Sequence, residues 1–404
     1  MARIITGLDV GSSTVTTIVG KRDRDSSDTE IIGVAVEPAE GIRRGIVIDV
    51  EDATRTIRRS ILEASRVAGV SVRSAIVSIG GAYLHTVSSR GVVAVSRADG
   101  EISHEDVIRA YTAAEQFIPK NPNREVVHLI PREFRVDGEV GIRDPIGMNG
   151  VRLEVDALFL EAQSHPLKTL TKCIETAGVR RVGEFVFSTL AAADVVLTKR
   201  QKELGVALVD IGGGTADFVI FEEGRLIHAG SISIGGGHIT SDIAIGFQTR
   251  IDTAERIKLE YGVAVPELVS KKEIIQLGDF LVGDQSIFPR RNLAEIIEAR
   301  LKDFFELLNR ELKKINRSQL LPAGVVLVGG GARMQGIIEI AKREMRLPVS
   351  LGIPVGFMNV PFDEGSSIQL AASLGLLRWE AEEYGARQPK IPPWIKNFLK
   401  LFVP

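Results

Sequence analysis

The sequence predicts an α/β protein of two similar lobes, and three observations carry that expectation. Short apolar strands alternate with amphipathic helices, the pattern of α/β units around buried sheets. One motif occurs twice: residues 5–14 and 206–215 align Asp9 with Asp210, Gly11 with Gly212 and Thr14 with Thr215, 201 residues apart. A third cluster, Gly329-Gly330-Gly331, follows a run of four apolar residues.

At ~150 residues per domain, the 404 residues allow two to four domains. Apolar residues at 44% and charged residues at 25% exclude wholesale disorder. Lys and Arg total 50 against 52 for Asp and Glu. No basic excess is left for the phosphate backbone, so nucleic acid is not an expected partner. A single cysteine, Cys173, excludes an intramolecular disulfide and any CxxC metal site, and fits a reducing compartment. The six histidines lack zinc-binding spacing, and no Ser-His-Asp pattern stands out. Glycine, at 40 residues, exceeds the usual ~7%, which points to tight turns or to backbone approaching a ligand. Residues 1–11 lack the basic and apolar regions of a signal peptide. No apolar run nears the ~18 residues of a spanning helix.

In chain order, the spacing predicts strands at 3–10, from the Gly11-Ser12-Ser13 turn to about 20, and at 31–36, with a polar loop at 21–30. Residues 52–69 read as a helix with Ala53, Ile57, Ile61 and Leu62 on its apolar side. A strand follows at 74–79. Ser103 and Asp106 have capping-box spacing and open a helix that Pro119 stops. Strands are expected at 126–130 and 152–160, and a helix at 166–177. The second hairpin occupies 205–221. A strand at 232–234 leads through Gly235-Gly236-Gly237 into a helix, and further helices are expected at 252–260 and 293–314. The strand 325–328 leads through Gly329-Gly330-Gly331 into a helix to about 346.

A strand ending in Asp-x-Gly, followed by a small-residue turn and a returning strand, leaves bare backbone at the hairpin tip. There, N–H groups can meet phosphate oxygens. The strand-end carboxylates Asp9 and Asp210 suit Mg²⁺, which keeps several waters and accompanies phosphates. One such hairpin is simply a turn; two aligned copies read as a clamp. Gly329-Gly330-Gly331 adds backbone and a helix N-terminus beside the same ligand, or is a strand-to-helix turn needing small residues. No GxxxxGK[ST] or GxGxxG motif is present.

The order of these pieces resembles the superfamily of actin, the heat-shock chaperones and the sugar kinases. The resemblance implies an actin-like two-lobed ATPase fold that binds ATP with Mg. Asp9, Gly11, Ser12, Ser13 and Thr14 would form the first phosphate loop, and Asp210, Gly212, Gly213, Gly214 and Thr215 the second. Gly329, Gly330, Gly331 and Arg333 would form the adenosine motif, with Glu255 and Lys258 contacting adenine and ribose. Asp9 and Asp210 would hold Mg through water. Residues 144–154 (DPIGMNGVRLE), 41–49 (GIRRGIVID) and 185–197 (FVFSTLAAADVVL) narrow the resemblance to the bacterial FtsA family. It implies a first-lobe core at 1–83 and 163–197, with a small α/β subdomain, 84–162, inserted in that lobe. The second-lobe core would be 198–235 and 301–380, with a subdomain at 236–300. A linker, 381–391, and an amphipathic helix, 392–404, would follow.

The resemblance further implies actin-like protofilaments, and partners in the FtsZ C-terminal tail, membrane lipid and other division proteins. It places the protein at the division site, on the cytoplasmic face of the membrane. Arg290, Arg291 and Arg300 resemble the tail-binding segment, though a charged surface helix explains them nearly as well. Ser188 stands where shape-determining bacterial actins have a glutamate, and serine is a poor general base. Slow ATPase activity at most is therefore expected, with nucleotide as a conformational ligand; Asp217 is a possible substitute. Two rival readings are a PilM-like pilus-assembly actin homologue and a sugar-kinase-branch phosphotransferase.

The segment 392–404 reads PPWIKNFLKLFVP. On a helix, Trp394, Ile395, Phe398, Leu399, Leu401 and Phe402 share an arc of roughly 160°, with Lys396, Asn397 and Lys400 opposite. It is too short to span a bilayer and fits an interfacial helix, or a closing helix packed on its own domain. Burial of six apolar groups at ~1.5–3 kcal/mol each is largely offset by ordering the backbone at ~1–2 kcal/mol per residue. One such helix binds weakly, and many on a filament bind by avidity.

Overall fold

The computed structural model describes residues 2–23, 28–119, 121–281, 283 and 285–379. The linker 381–391 and the segment carrying Trp394, Ile395, Phe398, Leu399 and Phe402 lie outside the described residues. The described residues form two compact units: residues 2–84 with 165–378, and residues 85–164 with Trp379.

The larger unit holds two sheets. The first has strand order Arg181–Phe187, Ser74–Ile79, Arg3–Val10, Thr14–Arg22, Thr29–Pro38 and Phe357–Met358. Its central hairpin pairs Asp9 with Thr16 and Leu8 with Thr17. The second runs Arg225–Ile232, Ala216–Glu222, Val206–Ile211, Val325–Val328 and Val349–Leu351. Its own hairpin pairs Asp210 with Asp217 and Val209 with Phe218. The apolar run 206–209 is fully buried, as are Val325, Leu327 and Val328. Such runs form central strands covered on both faces. Each sheet thus opens on an antiparallel hairpin and then takes a parallel strand on its other side.

Helix Val50–Ala68 shows how local signals set an element. Asp49 caps its N-terminus by accepting from the Asp52 N–H, and Gly69 ends it at φ 65°. Ala53, Ile57, Ile61 and Ala64 are buried, but Leu62 is exposed. It lies 100° around the helix from Ile61, off the buried stripe. Helix Ala371–Arg378 packs on helix Ser188–Val196 and passes beneath the first hairpin. Cys173 is buried and unoxidised.

The smaller unit has sheet order Leu84–Ala94, Arg152–Gln163, Arg124–Val136 and Glu139–Ile142, with helix His104–Gln116 packed on Arg152–Gln163. Ser103 and Asp106 form the expected capping box. The helix buries Val107, Ala110, Tyr111 and Ala114 against Phe134, Val155 and Phe159. The strand expected at 126–130 runs on to Val136. Pro131 has no N–H to donate, and the ladder shifts register beside it, where Ala157 faces Pro131 and Asp156 faces Glu133.

Three other expectations are corrected. The strand placed at 232–234 is the end of Arg225–Ile232. Strand Arg181–Phe187 and strand Leu84–Ala94 were not expected from their mixed polarity. No α-helix starts directly after Gly331: Gly330–Arg333 is a 3-10 turn and the helix is Ile337–Met345. Gly329 at φ 85° and Gly336 at φ 82° bracket that turn, and neither conformation continues a right-handed helix.

Candidate functional site

The two hairpins of the larger unit face one another across a cleft of about 1070 Å³. Both tips close in the same way: Gly11 N–H donates to Thr14 O and Gly212 N–H to Thr215 O, each at 3.0 Å. These two amides therefore shape the loops. Among the described residues no backbone hydrogen bond takes up the N–H groups of Ser12, Ser13, Gly213 or Gly214. The tips are nearly in contact, since a Cβ on Gly213 would lie 1.8 Å from Ser13 Oγ. Behind the second tip, Gly236 N–H donates to Gly212 O (2.9 Å) and Gly237 N–H to Gly213 O (2.8 Å). Gly235-Gly236-Gly237, to which sequence reasoning gave no role, thus backs the second loop.

Three aspartates line the cleft: Asp9, Asp210 and Asp217. Asp9 accepts from Ser78 Oγ and from Ser373 Oγ (3.2 Å). Burial pushes its pKa up, against those hydrogen bonds. Burial, then the neighbouring charges of Asp9 and Asp217, push Asp210 up to about 8. Burial raises Asp217 to about 6, against hydrogen bonds from Ser231, Ser188 and the Gly81 N–H (3.1 Å). Crowded carboxyls that hold protons when alone are poised to ionise beside a cation. Among the described residues, no three His, Cys, Asp or Glu side chains converge as direct metal ligands. The chemistry of this set would suit a hydrated Mg²⁺, which prefers carboxylate and water oxygens.

Gly329 is the hinge of the third motif. A Cβ there would lie 2.2 Å from Asp210 Oδ1 and 2.7 Å from Ile211 O, so only glycine lets strand Val325–Val328 turn beside that carboxylate. Gly330, Gly331 and Arg333 line the cleft, and Arg333 Nη1 donates to Gln369 Oε1 at 3.0 Å. On helix Ile251–Tyr261, Lys258 Nζ reaches Glu255 Oε2 (2.6 Å), Thr240 Oγ1 (2.8 Å) and Gly236 O (3.2 Å). Glu255 and Lys258 both line the cleft. Ser188 lines it too, beside Asp217.

The three arginines at 290–300 do not share one open face. Arg290 donates to Tyr261 O (2.9 Å) and Glu273 Oε2 (2.6 Å), and Arg300 clasps both oxygens of Asp242 (2.6 and 2.9 Å). Both line the cleft, whereas Arg291 pairs loosely with Glu295 at 3.5 Å. Sequence reasoning missed Ser78 and Gly80, which line the cleft, and Ser373, which donates to Asp9; all three lie far from the hairpins along the chain.

Two sheets, each opening on the same glycine-tipped hairpin and flanking one cleft, define the actin-like fold, with a small α/β subdomain inserted in the first lobe. Among solved structures, the chain is similar to the PilM-PilN type IV pilus biogenesis complex (TM-score 0.68, 16% identity, 93% of this chain and 97% of that one). It is also similar to MreB5 of Spiroplasma citri bound to ADP (TM-score 0.56, 13% identity, 96% and 99%). Family models match at residues 207–375, "Cell division protein FtsA", and 81–160, "SHS2 domain inserted in FTSA". The cell division protein FtsA of Pseudomonas aeruginosa is 36% identical over 354 residues, 87% of this chain and 83% of that protein. The chain belongs to the FtsA family of cell-division proteins.

Proposed function

We propose that the protein binds Mg-ATP in the interlobe cleft, assembles into actin-like filaments and tethers the FtsZ ring to the cytoplasmic face of the membrane at the division site. The observation that carries this reading is the pair of hairpin tips closed in the same way, with free N–H groups and two strand-end aspartates, facing one another across the cleft. The ADP held by the similarly folded MreB5 supports the choice of ligand. When bound, Mg²⁺ would neutralise phosphate charge. The chain's own part is to hold the phosphates with amides 12–13 and 213–214, and to keep the metal's waters oriented with Asp9 and Asp210.

Position 188 offers no carboxylate to activate water, so turnover is slow and nucleotide acts as a conformational ligand. Asp217 is the nearest acid to that position. The 236–300 subdomain is the proposed seat of the FtsZ tail. Leu259, Leu268, Ile274 and Ile287 are exposed there, and of Arg290, Arg291 and Arg300 it is Arg291 that is most open to an acidic segment. Residues 392–404 supply the membrane contact. Other division proteins are proposed partners.

Co-sedimentation with anionic liposomes tests the reading. The full chain with Mg-ATP is expected to pellet and to carry FtsZ with it. A chain ending at Lys390, or Trp394→Glu, is expected to lose at least ~10-fold of the pelleted fraction, since avidity multiplies a weak single-helix affinity. Equal pelleting of the shortened chain without polymer would refute the tether.

A further inference from the structure

Residues 41–49 fold as a small hairpin, Ile42–Arg43 against Ile46–Val47, whose tip is Arg44-Gly45. Arg44 sits at φ 51°, a conformation costly for a side-chain-bearing residue. The tip is fixed to both phosphate loops. Gly45 N–H donates to Ser12 Oγ at 2.9 Å. A Cβ on Gly214 would lie 3.0 Å from Arg44 Cα. The turn thus seats the Arg44 backbone against the second tip, one residue from Gly45, which lines the cleft.

Facing Arg44 stands His238, next to Gly237, which lines the cleft and whose own N–H holds Gly213 O. The Gly235 N–H donates to His238 Nδ1 at 3.1 Å, so Nδ1 is the acceptor and the ring proton is on Nε2. Arg44 Nη2 lies 3.5 Å from that same Nε2. Both atoms are donors, so the approach is no hydrogen bond: two N–H groups converge with no acceptor between them. An oxygen at ~2.9 Å from each nitrogen completes the geometry. Of the cations lining the cleft, Arg290, Arg300 and Lys258 are matched to Glu273, Asp242 and Glu255, and Arg333 donates to Gln369. Among the described residues, no carboxylate pairs with Arg44.

We infer that Arg44 and His238 form a two-donor clamp, one group from each lobe, for an oxygen of the nucleotide's terminal phosphoryl group. The inference rests on the proposed nucleotide site and adds to it a means of telling triphosphate from diphosphate. ADP lacks that phosphoryl group, so on this inference only ATP engages both donors.

Calorimetric titration of the full chain with Mg-ATP and with Mg-ADP tests this. Arg44→Ala is expected to weaken ATP roughly 10- to 100-fold, the range for a charge-assisted hydrogen bond, and ADP less than about 3-fold. His238→Ala is expected to act in the same direction with smaller size, and Arg44→Lys to restore part of the loss. An unchanged ADP affinity shows that the variants are folded. Equal loss for both nucleotides, or none, overturns the clamp while leaving the nucleotide site standing. Failure of the unaltered chain to bind either nucleotide overturns both. Titrating the ADP-loaded protein with inorganic phosphate separates the sources. Phosphate uptake that Arg44→Ala abolishes, with ATP affinity unchanged, would overturn the assignment to the terminal phosphoryl.

Discussion

Asp210→Asn is expected to cut Mg-ATP affinity about 10- to 100-fold, the usual cost of losing a carboxylate that orients a metal's water, and at the same time to stabilise the empty protein at alkaline pH. The two effects share one cause. In the folded chain burial, and then the charges of Asp9 and Asp217, push Asp210 up to about 8. In the unfolded chain an aspartate ionises near pH ~3.9. Between those values the folded state holds a proton that the unfolded state has lost, so stability falls as pH rises from about 4 to about 8. The amide cannot ionise and escapes that loss. Thermal midpoints without nucleotide, at pH 5 and pH 8, check the sign. The variant's advantage over the unaltered chain should be larger at pH 8. A lower midpoint for the variant at pH 8 would show that Asp210 is a stabilising charge and not a poised one. This is the exchange of stability for binding expected at a site built for a cation.

Asp106→Ala is expected to cost about 2–4 kcal/mol, because it orphans several donors at once. The carboxylate is fully buried. It accepts from Ser96 N–H (2.9 Å), Ser103 N–H (2.9 Å), Ser103 Oγ (2.7 Å) and Arg109. Burial alone would raise its pKa, but these bonds hold it well below the usual carboxylate range. A depressed carboxyl contributes fully above the unfolded value of ~3.9 and loses its contribution as pH falls below it. Urea unfolding at pH 7 and pH 3 should therefore show the penalty shrinking in acid. Hydrogen exchange should place the loss in residues 85–164, whose helix Asp106 caps. A penalty under about 0.5 kcal/mol at pH 7 would mean that the surrounding donors find other partners.

The legible and illegible parts of the molecule divide by range. The strand Arg3–Val10 and the strand Val325–Val328 end where their apolar runs end, because a buried strand needs nothing more than its own residues to be recognised. Asp9 and Asp210 stood out only because the hairpin is repeated. The turn after Gly329 was misread as a helix start, because its 3-10 geometry is set by φ angles at Gly329 and Gly336 and not by apolar spacing. The partners of Asp9 were invisible: Ser78 lies 69 residues away and Ser373 lies 364. A lone serine carries no signal for such a contact. Likewise Arg44 and His238, 194 residues apart, read as unremarkable surface residues until the two lobes bring them within 3.5 Å.

The measurement that bears most directly on the whole account is calorimetric titration of the full-length chain with ATP, with and without Mg²⁺, beside the variant Gly213→Val. A Cβ at that position would collide with Ser13 Oγ across the gap between the two tips. The account predicts one ATP per chain, binding that weakens when Mg²⁺ is withheld, and at least ~10-fold weaker uptake by the variant. Absence of ATP uptake by the unaltered chain, or equal uptake by Gly213→Val, would contradict it.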